Sequence, residues 1–369
     1  MKRALIVLLL LAVAAGGLFA QVTYSGFVNS GFQVVIPPNE GDITFHWYSN
    51  DPGATYRFQF RAAYQNDDGT VGAAGSIRSN AGGFGFDGSN GWIKLLDKQL
   101  HISVGNGSAV GGFGSLGNFG AANTAADGRF SAAFTPTDTN FSIGLGINPA
   151  SSNGANTFAL ATYGLGLKFG IPGTLTAVAN ANFVPDTSVV NAAAGISIAA
   201  LNAASSDSGI NGIAVDLIAN DVTGDLKWVG IGPVVGFRVV GVGAGNLGIS
   251  LRSRIFVPLT DENELDYWVG LDLGVPLTSA ISFNLNGGYE ANAAIGGPNA
   301  DTGILGAANG EGTGRAIGGS GDAGLIVRPQ LTFNLGSGAS IIAGWSLQAL
   351  LASEMVMQHA IYGRLVVSF

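Results

Sequence analysis

Apolar side chains recur at every second position in segment after segment of this chain. Tyr56, Phe58, Phe60, Ala62 and Tyr64 share one face, with Arg57, Gln59 and Arg61 on the other. Phe141, Ile143, Leu145 and Ile147 alternate with Ser142, Gly144, Gly146 and Asn148, and Tyr163, Leu165, Leu167 and Phe169 alternate with Gly164, Gly166 and Lys168. The same beat runs through Leu247–Val257 against Arg252 and Arg254, through Leu265–Leu273 against Asp266, Trp268 and Asp272, and through Ile281, Phe283 and Leu285. Side chains of a strand point to opposite faces in turn, so a period of two predicts strands with one apolar and one polar face. The segments are about the 9–11 residues that a tilted membrane-spanning strand needs. Between them stand turn signals: Asn50-Asp-Pro-Gly53, Asp67-Asp-Gly69, Gly170-Ile-Pro-Gly173 and Gly336-Ser-Gly338. Gly91–Asn106 reads as a hairpin turning at Asp97-Lys98. Pro329 interrupts an otherwise good strand, Leu325–Asn334, and is expected at a rim or a bulge, because proline cannot donate to a ladder.

Composition turns this pattern towards a membrane. Charged residues make up 11% of the 369 residues, against roughly 25% in ordinary soluble domains, while hydrophobic residues reach 47%. At the N-terminus Lys2 and Arg3 precede the apolar run Ala4–Ala15 and the small-residue stretch Gly16-Gly-Leu-Phe-Ala20. This is the layout of a secretory signal peptide, with cleavage expected after Ala20 and the mature chain starting at Gln21. Beyond it no run of roughly 18 apolar residues exists to form a transmembrane helix. A chain that is apolar overall yet locally alternating suits a transmembrane β-barrel, whose outer face meets lipid and whose inner face meets water. Closure also pairs every backbone N–H and C=O, as hydrocarbon demands. The expected fold is therefore all-β, a single antiparallel barrel over residues 21–369 of about 16–18 strands, a size that leaves an aqueous channel. A closure at 18 follows if Val71–Asn90 is an outer loop excursion and Asp225–Gly241 a single strand.

The last thirteen residues carry a resemblance. Ile361, Gly363, Leu365, Val367 and the terminal Phe369 share one face of Met357–Phe369, with Gln358, Arg364 and Ser368 on the other. This resembles the C-terminal strand of bacterial outer-membrane β-barrel proteins, which ends in Phe and is read by the barrel-assembly machinery. With the N-terminal signal and the repeated alternation, the chain from Gln21 to Phe369 resembles the outer-membrane porin class. The resemblance implies residence in outer-membrane lipid, handling by the assembly machinery, homotrimers, and passive diffusion of small hydrophilic solutes. It also sets an orientation. With Phe369 on the periplasmic side, Gly336–Ala339 and Pro276–Ser279 become periplasmic turns. Leu351–Val356, Pro258–Asn263 and the long loop 291–322 then fall outside. Segment 107–128 matches the porin pattern of a loop folded into the barrel, or else is a plain surface loop; its sole ionisable residue is Asp127. Two other readings stand beside the porin: a surface adhesin or antigen on a barrel scaffold, with 291–322 as its working end, and a substrate-specific outer-membrane transporter. The usual N-terminal plug of such transporters has no room, since alternation begins by Val22–Tyr24.

Charge and chemistry narrow the function. The net charge of −8 becomes −10 once Lys2 and Arg3 are removed, which argues against nucleic acid as a partner. With no Cys there is no disulfide framework, no thiol nucleophile and no lipoprotein anchor. His46, His101 and His359 are isolated, so neither a zinc set nor a Ser-His-Asp triad can be assembled, and no enzyme, cofactor or metal is expected. Two G-x-G-x-x-G matches, Gly112–Gly117 and Gly243–Gly248, are expected by chance among 59 glycines; the second runs into a strand rather than a helix. The acidic clusters Asp261-Glu-Asn-Glu264 and Asn66-Asp-Asp-Gly69 read as solvated hairpin loops, calcium being the sharper alternative.

The partition of charge between faces is more telling. Alternation places Arg57, Arg61, Lys94, Lys168, Lys227, Arg238, Arg252, Arg254, Arg328 and Arg364 inward, against Asp216, Asp225, Glu264, Asp266 and Asp272. A lipid-facing charge near the midplane would cost about 2–4 kcal/mol, so these residues must face the lumen. A wet pore with mild anion preference follows if they stay uncompensated; if they pair with acids they merely solvate the interior. An aromatic belt is expected at Tyr56, Tyr64, Phe169, Phe183, Phe256, Tyr267, Phe333 and Phe369.

Overall fold

The computed structural model describes residues 21–37, 41–47, 58–80, 83–105, 130–152, 155–185, 187–199, 208–219, 222–224, 228–259, 265–291, 323–351 and 354–369. The expected signal peptide and the segments 107–128 and 292–322 lie outside them.

All described strands join one antiparallel sheet of 19 segments that closes on itself, with β1 (Gln21–Ile36) paired to β19 (Met355–Ser368) from Phe27↔Ser368 to Ile36↔His359. Two short segments, β2 (Thr44–Trp47) and β3 (Phe58–Gln65), pair with the same edge of β1, β2 opposite Phe32–Val35 and β3 opposite Gln21–Val28. They are two halves of one stave interrupted by residues 48–57, so the barrel has 18 staves. The even number brings Gln21 and Phe369 to the same rim. The described turns 66–70, 96–99, 172–174, 243–244, 277–280 and 337–338 share that rim. The connections 106–129, 259–265 and 292–322 start and finish at the opposite one.

Alternation built this wall as expected. Outward positions carry exposed apolar side chains, such as Leu145 at 57% and Leu365 at 43%, while the inward face buries polar ones, including Ser131, Asp216, Glu290, Ser346 and Gln348. The arrangement is inverted relative to a soluble domain because the solvent outside is lipid. Tyr64, Phe169, Phe183 and Phe369 stand exposed on the outer face. Tyr56 lies outside the described residues.

Three expectations are corrected. Val71–Asn90 is not an outer loop: β4 (Val71–Asn80) and β5 (Gly83–Leu95) are two paired staves. The sequence hid them twice over. Their outward positions include Ala73, Gly75, Ser89 and Gly91, and a bulge between Ser76↔Gly88 and Ile77↔Phe86 shifts the phase of the alternation. Phe256 does not join an outer belt; it points inward on β14 (Gly245–Pro258), 4% exposed, packed with Ala193 and Ile218. Pro329 sits at neither rim nor bulge. It pairs with Leu285 in the middle of β17 (Ala323–Gly336). The ladder from β17 to β18 (Ala339–Leu351) runs from Val327↔Leu347 to Gln330↔Gly344 in unchanged register, so the ring's missing N–H leaves only an omitted rung. Pro233 of β13 (Trp228–Val242) sits at a similar gap, between Ile231↔Ile255 and Val234↔Arg252.

Closure is made in the last residue. Gly26 N–H donates to the Phe369 carbonyl at 2.8 Å and Phe369 N–H donates back to Gly26 at 3.0 Å. A Cβ on residue 26 would strike the Gln59 carbonyl oxygen and would also meet the Phe369 ring, its Cζ at 2.7 Å. Gly26→Val should therefore push against the β3 backbone as well as the ring and cost about 1–3 kcal/mol by overpacking. The change would be read as a lower temperature for losing the compact electrophoretic form, whereas Ser30→Val on the same outer face should leave it unaltered.

Candidate functional site: the inner wall

A polar cluster lies on the arc from β14 to β19. Arg252 on β14 forms an ion pair with Asp272 on β15 (Asp266–Pro276), and Asn286 on β16 (Ile281–Ala291) donates its side-chain amide to the same carboxylate. Asn286 in turn stands opposite Arg328 on β17, so a polar row crosses four staves. One step away, the Arg254 guanidinium lies 5.4 Å from the centre of the Trp268 ring, and Trp268 stands opposite Glu290. An arginine over an indole face is held by the ring quadrupole as well as by charge. Tyr362 on β19 donates its hydroxyl to Gln330 at 3.1 Å. It does so across Gly344, where a Cβ would strike the tyrosine ring. The small residue is what lets a phenol lie flat along the wall.

The remaining inward cations are spread around the barrel. Arg61 on β3 stands opposite Ser76, and Lys94 on β5 opposite His101 on β6 (Leu100–Gly105). Lys168 on β9 (Ala155–Ile171) stands between Ser142 and Val178, and Arg238 on β13 opposite Gly248. Arg364 on β19 pairs across to Gly31. Arg57 and Lys227 lie outside the described residues. Asp266 opens β15 opposite Phe256, its side chain undescribed. Two inward charges escaped the sequence reading. Arg78, on β4 within the segment expected to be an outer loop, stands opposite Gln59. Glu290, 1% exposed, was reachable by carrying the beat of Ile281, Phe283 and Leu285 past Gly287 to Tyr289, which puts residue 290 on the inner face.

Among the described side chains the inner staves thus carry nine cations (Arg61, Arg78, Lys94, Lys168, Arg238, Arg252, Arg254, Arg328 and Arg364) and three carboxylates (Asp216, Asp272 and Glu290). The carboxylates all belong to β12 (Gly209–Ala219), β15 and β16. From β1 to β11 the described inward side chains include cations and no carboxylate. The turn acids serve a different purpose. Asp68 accepts from the Thr70 hydroxyl at 2.7 Å and from its N–H at 3.0 Å, while Asn66 accepts from Val71 N–H at 2.8 Å. Those bonds from Thr70 hold the Asp68 carboxyl below the usual carboxylate range. The oxygens of this cluster close a hairpin. The second acidic cluster, 261–264, lies outside the described residues.

Solved structures share this architecture. The chain superposes on OccK11 (OpdR) of Pseudomonas aeruginosa with a TM-score of 0.56 at 11% identity, covering 94% of this chain and 96% of that one. OccK8 (OprE) of the same organism gives 0.56 at 10% identity, covering 95% and 98%. The outer membrane protein OprD gives 0.53 at 11%, covering 95% of each. The fold is that of an outer-membrane porin barrel. No family model matches the sequence, and no curated relative does. An 18-stave barrel with an apolar outer face is a resident of the outer membrane.

Asp272→Ala should strip Arg252 and Asn286 of their shared acceptor. Because both charged groups keep partial solvent access, the stability cost is about 1 kcal/mol rather than that of a fully buried pair. A small drop in the unfolding midpoint, with the compact electrophoretic form retained, is the expected result.

Proposed function

We propose that the protein is a porin: a water-filled outer-membrane channel for passive diffusion of small hydrophilic solutes, with a mild preference for anions. The observation that carries this reading is the excess of cations on the inner wall. Among the described inward side chains cations outnumber carboxylates nine to three, and a charge on this face is tolerable only beside water or a partner. Rings of Arg and Lys lower the energy of an anion in transit. The rim that holds Phe369 is the periplasmic one in this reading, and the outward face of Ile361, Gly363, Leu365, Val367 and Phe369 is the signal presented to the barrel-assembly machinery. Ile361, Leu365 and Phe369 stand exposed on that face, available to a partner before closure.

Refolded protein in a planar lipid bilayer should give stepwise conductance. Silence from protein that keeps its compact electrophoretic form would overturn the channel. Under a salt gradient the reversal potential should indicate anion preference, and Arg252→Glu with Arg254→Glu should move it towards cations; cation selectivity in the unaltered protein would sink the charge argument. Deleting Phe369 should lower the outer-membrane yield several-fold, and an unchanged yield would count against the assembly signal.

A further inference from the structure

At the rim that carries Phe369, the inner wall between β15 and β18 holds a cavity of about 430 Å³. Its polar lining comes from Thr278, Ser279, Ser282, Thr332, Asn334 and Ser340, and no residue that lines it is charged. Ser282, Thr332, Asn334 and Ser340 alternate with the lipid-facing Phe283, Phe333 and Ile341, and so share the lumen face. This patch differs from the neighbouring stretches of β14 to β17, which carry Arg252, Arg254, Asp272, Glu290 and Arg328.

The cavity is held rigid by its own turns. Thr278 Oγ1 accepts from Ala280 N–H at 3.1 Å and from Ile281 N–H at 3.0 Å. Asn334 N–H donates to the Ala280 carbonyl at 2.7 Å, tying the two turns together. Asn334 Oδ1 accepts from Gly336 N–H at 2.9 Å. These bonds also decide what each group can still offer. With its oxygen engaged twice, Thr278 keeps an O–H to donate. With its carbonyl engaged, Asn334 keeps an NH₂ to donate. Ser279, Ser282, Thr332 and Ser340 are hydroxyls, each able to donate and to accept.

We propose that this cavity is a weak, selective binding station for neutral polyhydroxylated solutes of mono- to disaccharide size at the mouth of the channel. Three arguments converge. The volume falls within the range of small-molecule sites, about 300–1,000 Å³. A wall of groups that both donate and accept matches a ligand made of hydroxyls, whereas an anion needs donors alone and would find no counter-charge to offset its lost water. Exchanging water–hydroxyl for sugar–hydroxyl bonds yields little net energy, and a permeation site must be weak enough to release its cargo.

The proposal rests on the channel reading, and the experiment separates the two. Glucose or maltose added to one side of a bilayer holding open channels should produce current block that depends on the side of addition. Thr332→Val with Ser340→Ala should weaken the block about tenfold while leaving the sugar-free conductance intact. Sodium gluconate at equal concentration should block less through this site and should be insensitive to those substitutions. Block by gluconate alone, or sugar block that ignores both side and substitution, overturns the station and leaves the channel standing. Should no conductance appear, saturation-transfer NMR of maltose against the detergent-solubilised protein decides the matter without a pore. Signal lost in Thr332→Val/Ser340→Ala supports the station, and no signal in the unaltered protein overturns it. The single variant Ser340→Ala guards against a folding failure of the pair, and should show a smaller loss in the same direction.

Discussion

A backbone amide left without a partner in hydrocarbon costs several kcal/mol, and this constraint organises the whole molecule. It permits strands in lipid only if the sheet has no edge, so β1 must find β19. Once the ladder is continuous, each stave has one face towards lipid and one towards the lumen, and the side-chain pattern is dictated residue by residue. The two mid-stave prolines show how much slack exists. At Pro233 and Pro329 a rung is omitted and the register on both flanks is kept. The wall absorbs a lost donor as long as the neighbouring rungs hold.

The inner wall follows a second accounting. Charges that cannot face lipid collect in the lumen, where they must be hydrated or paired. On the arc from β14 to β16, Arg252, Asp272 and Asn286 satisfy one another across three staves, and Arg254 settles over Trp268. The other side, with Arg61, Arg78, Lys94 and Lys168, has no carboxylate among its described inward side chains. The described inward side chains are therefore electrically lopsided, mixed along one arc and positive along the other. The stretch of the barrel's rim between β15 and β18 is neutral and hydroxylated.

Much of this was legible in the sequence because large apolar residues kept time without interruption. In β14 and β19 the beat of Leu247–Val257 and Ile361–Phe369 fixes the face of every residue. Where the beat failed, the reasons are physical. In β4 and β5 the lipid face is built partly from Ala and Gly, which fit a close-packed wall yet carry no hydropathy signal, and a bulge resets the phase. Phe256 was assigned by its aromatic character rather than by its place in the beat, although Ile255 and Val257 beside it already claimed the outer face. What no periodicity could give is lateral: that Asp272 lies beside Arg252 and Asn286, that Tyr362 crosses Gly344 to reach Gln330, or that two turns far apart in sequence enclose one cavity. Those depend on register between staves, which a single strand's pattern does not contain.

The seam between β1 and β19 also bears on the time course of folding. Most ladders here join staves that are neighbours in sequence and can zip from a turn, but Phe27 and Ser368 are 341 residues apart (368 − 27). Bringing such ends together from a random chain costs about 3 kcal/mol more in configurational entropy than closing a loop of roughly ten residues. High contact order of this kind slows folding by orders of magnitude when it must be met by search. A sheet that has already zipped and curled delivers its two edges to each other, so the long-range seam is reached by geometry rather than by diffusion. The seam converts the curvature of the hairpins into a closed sheet.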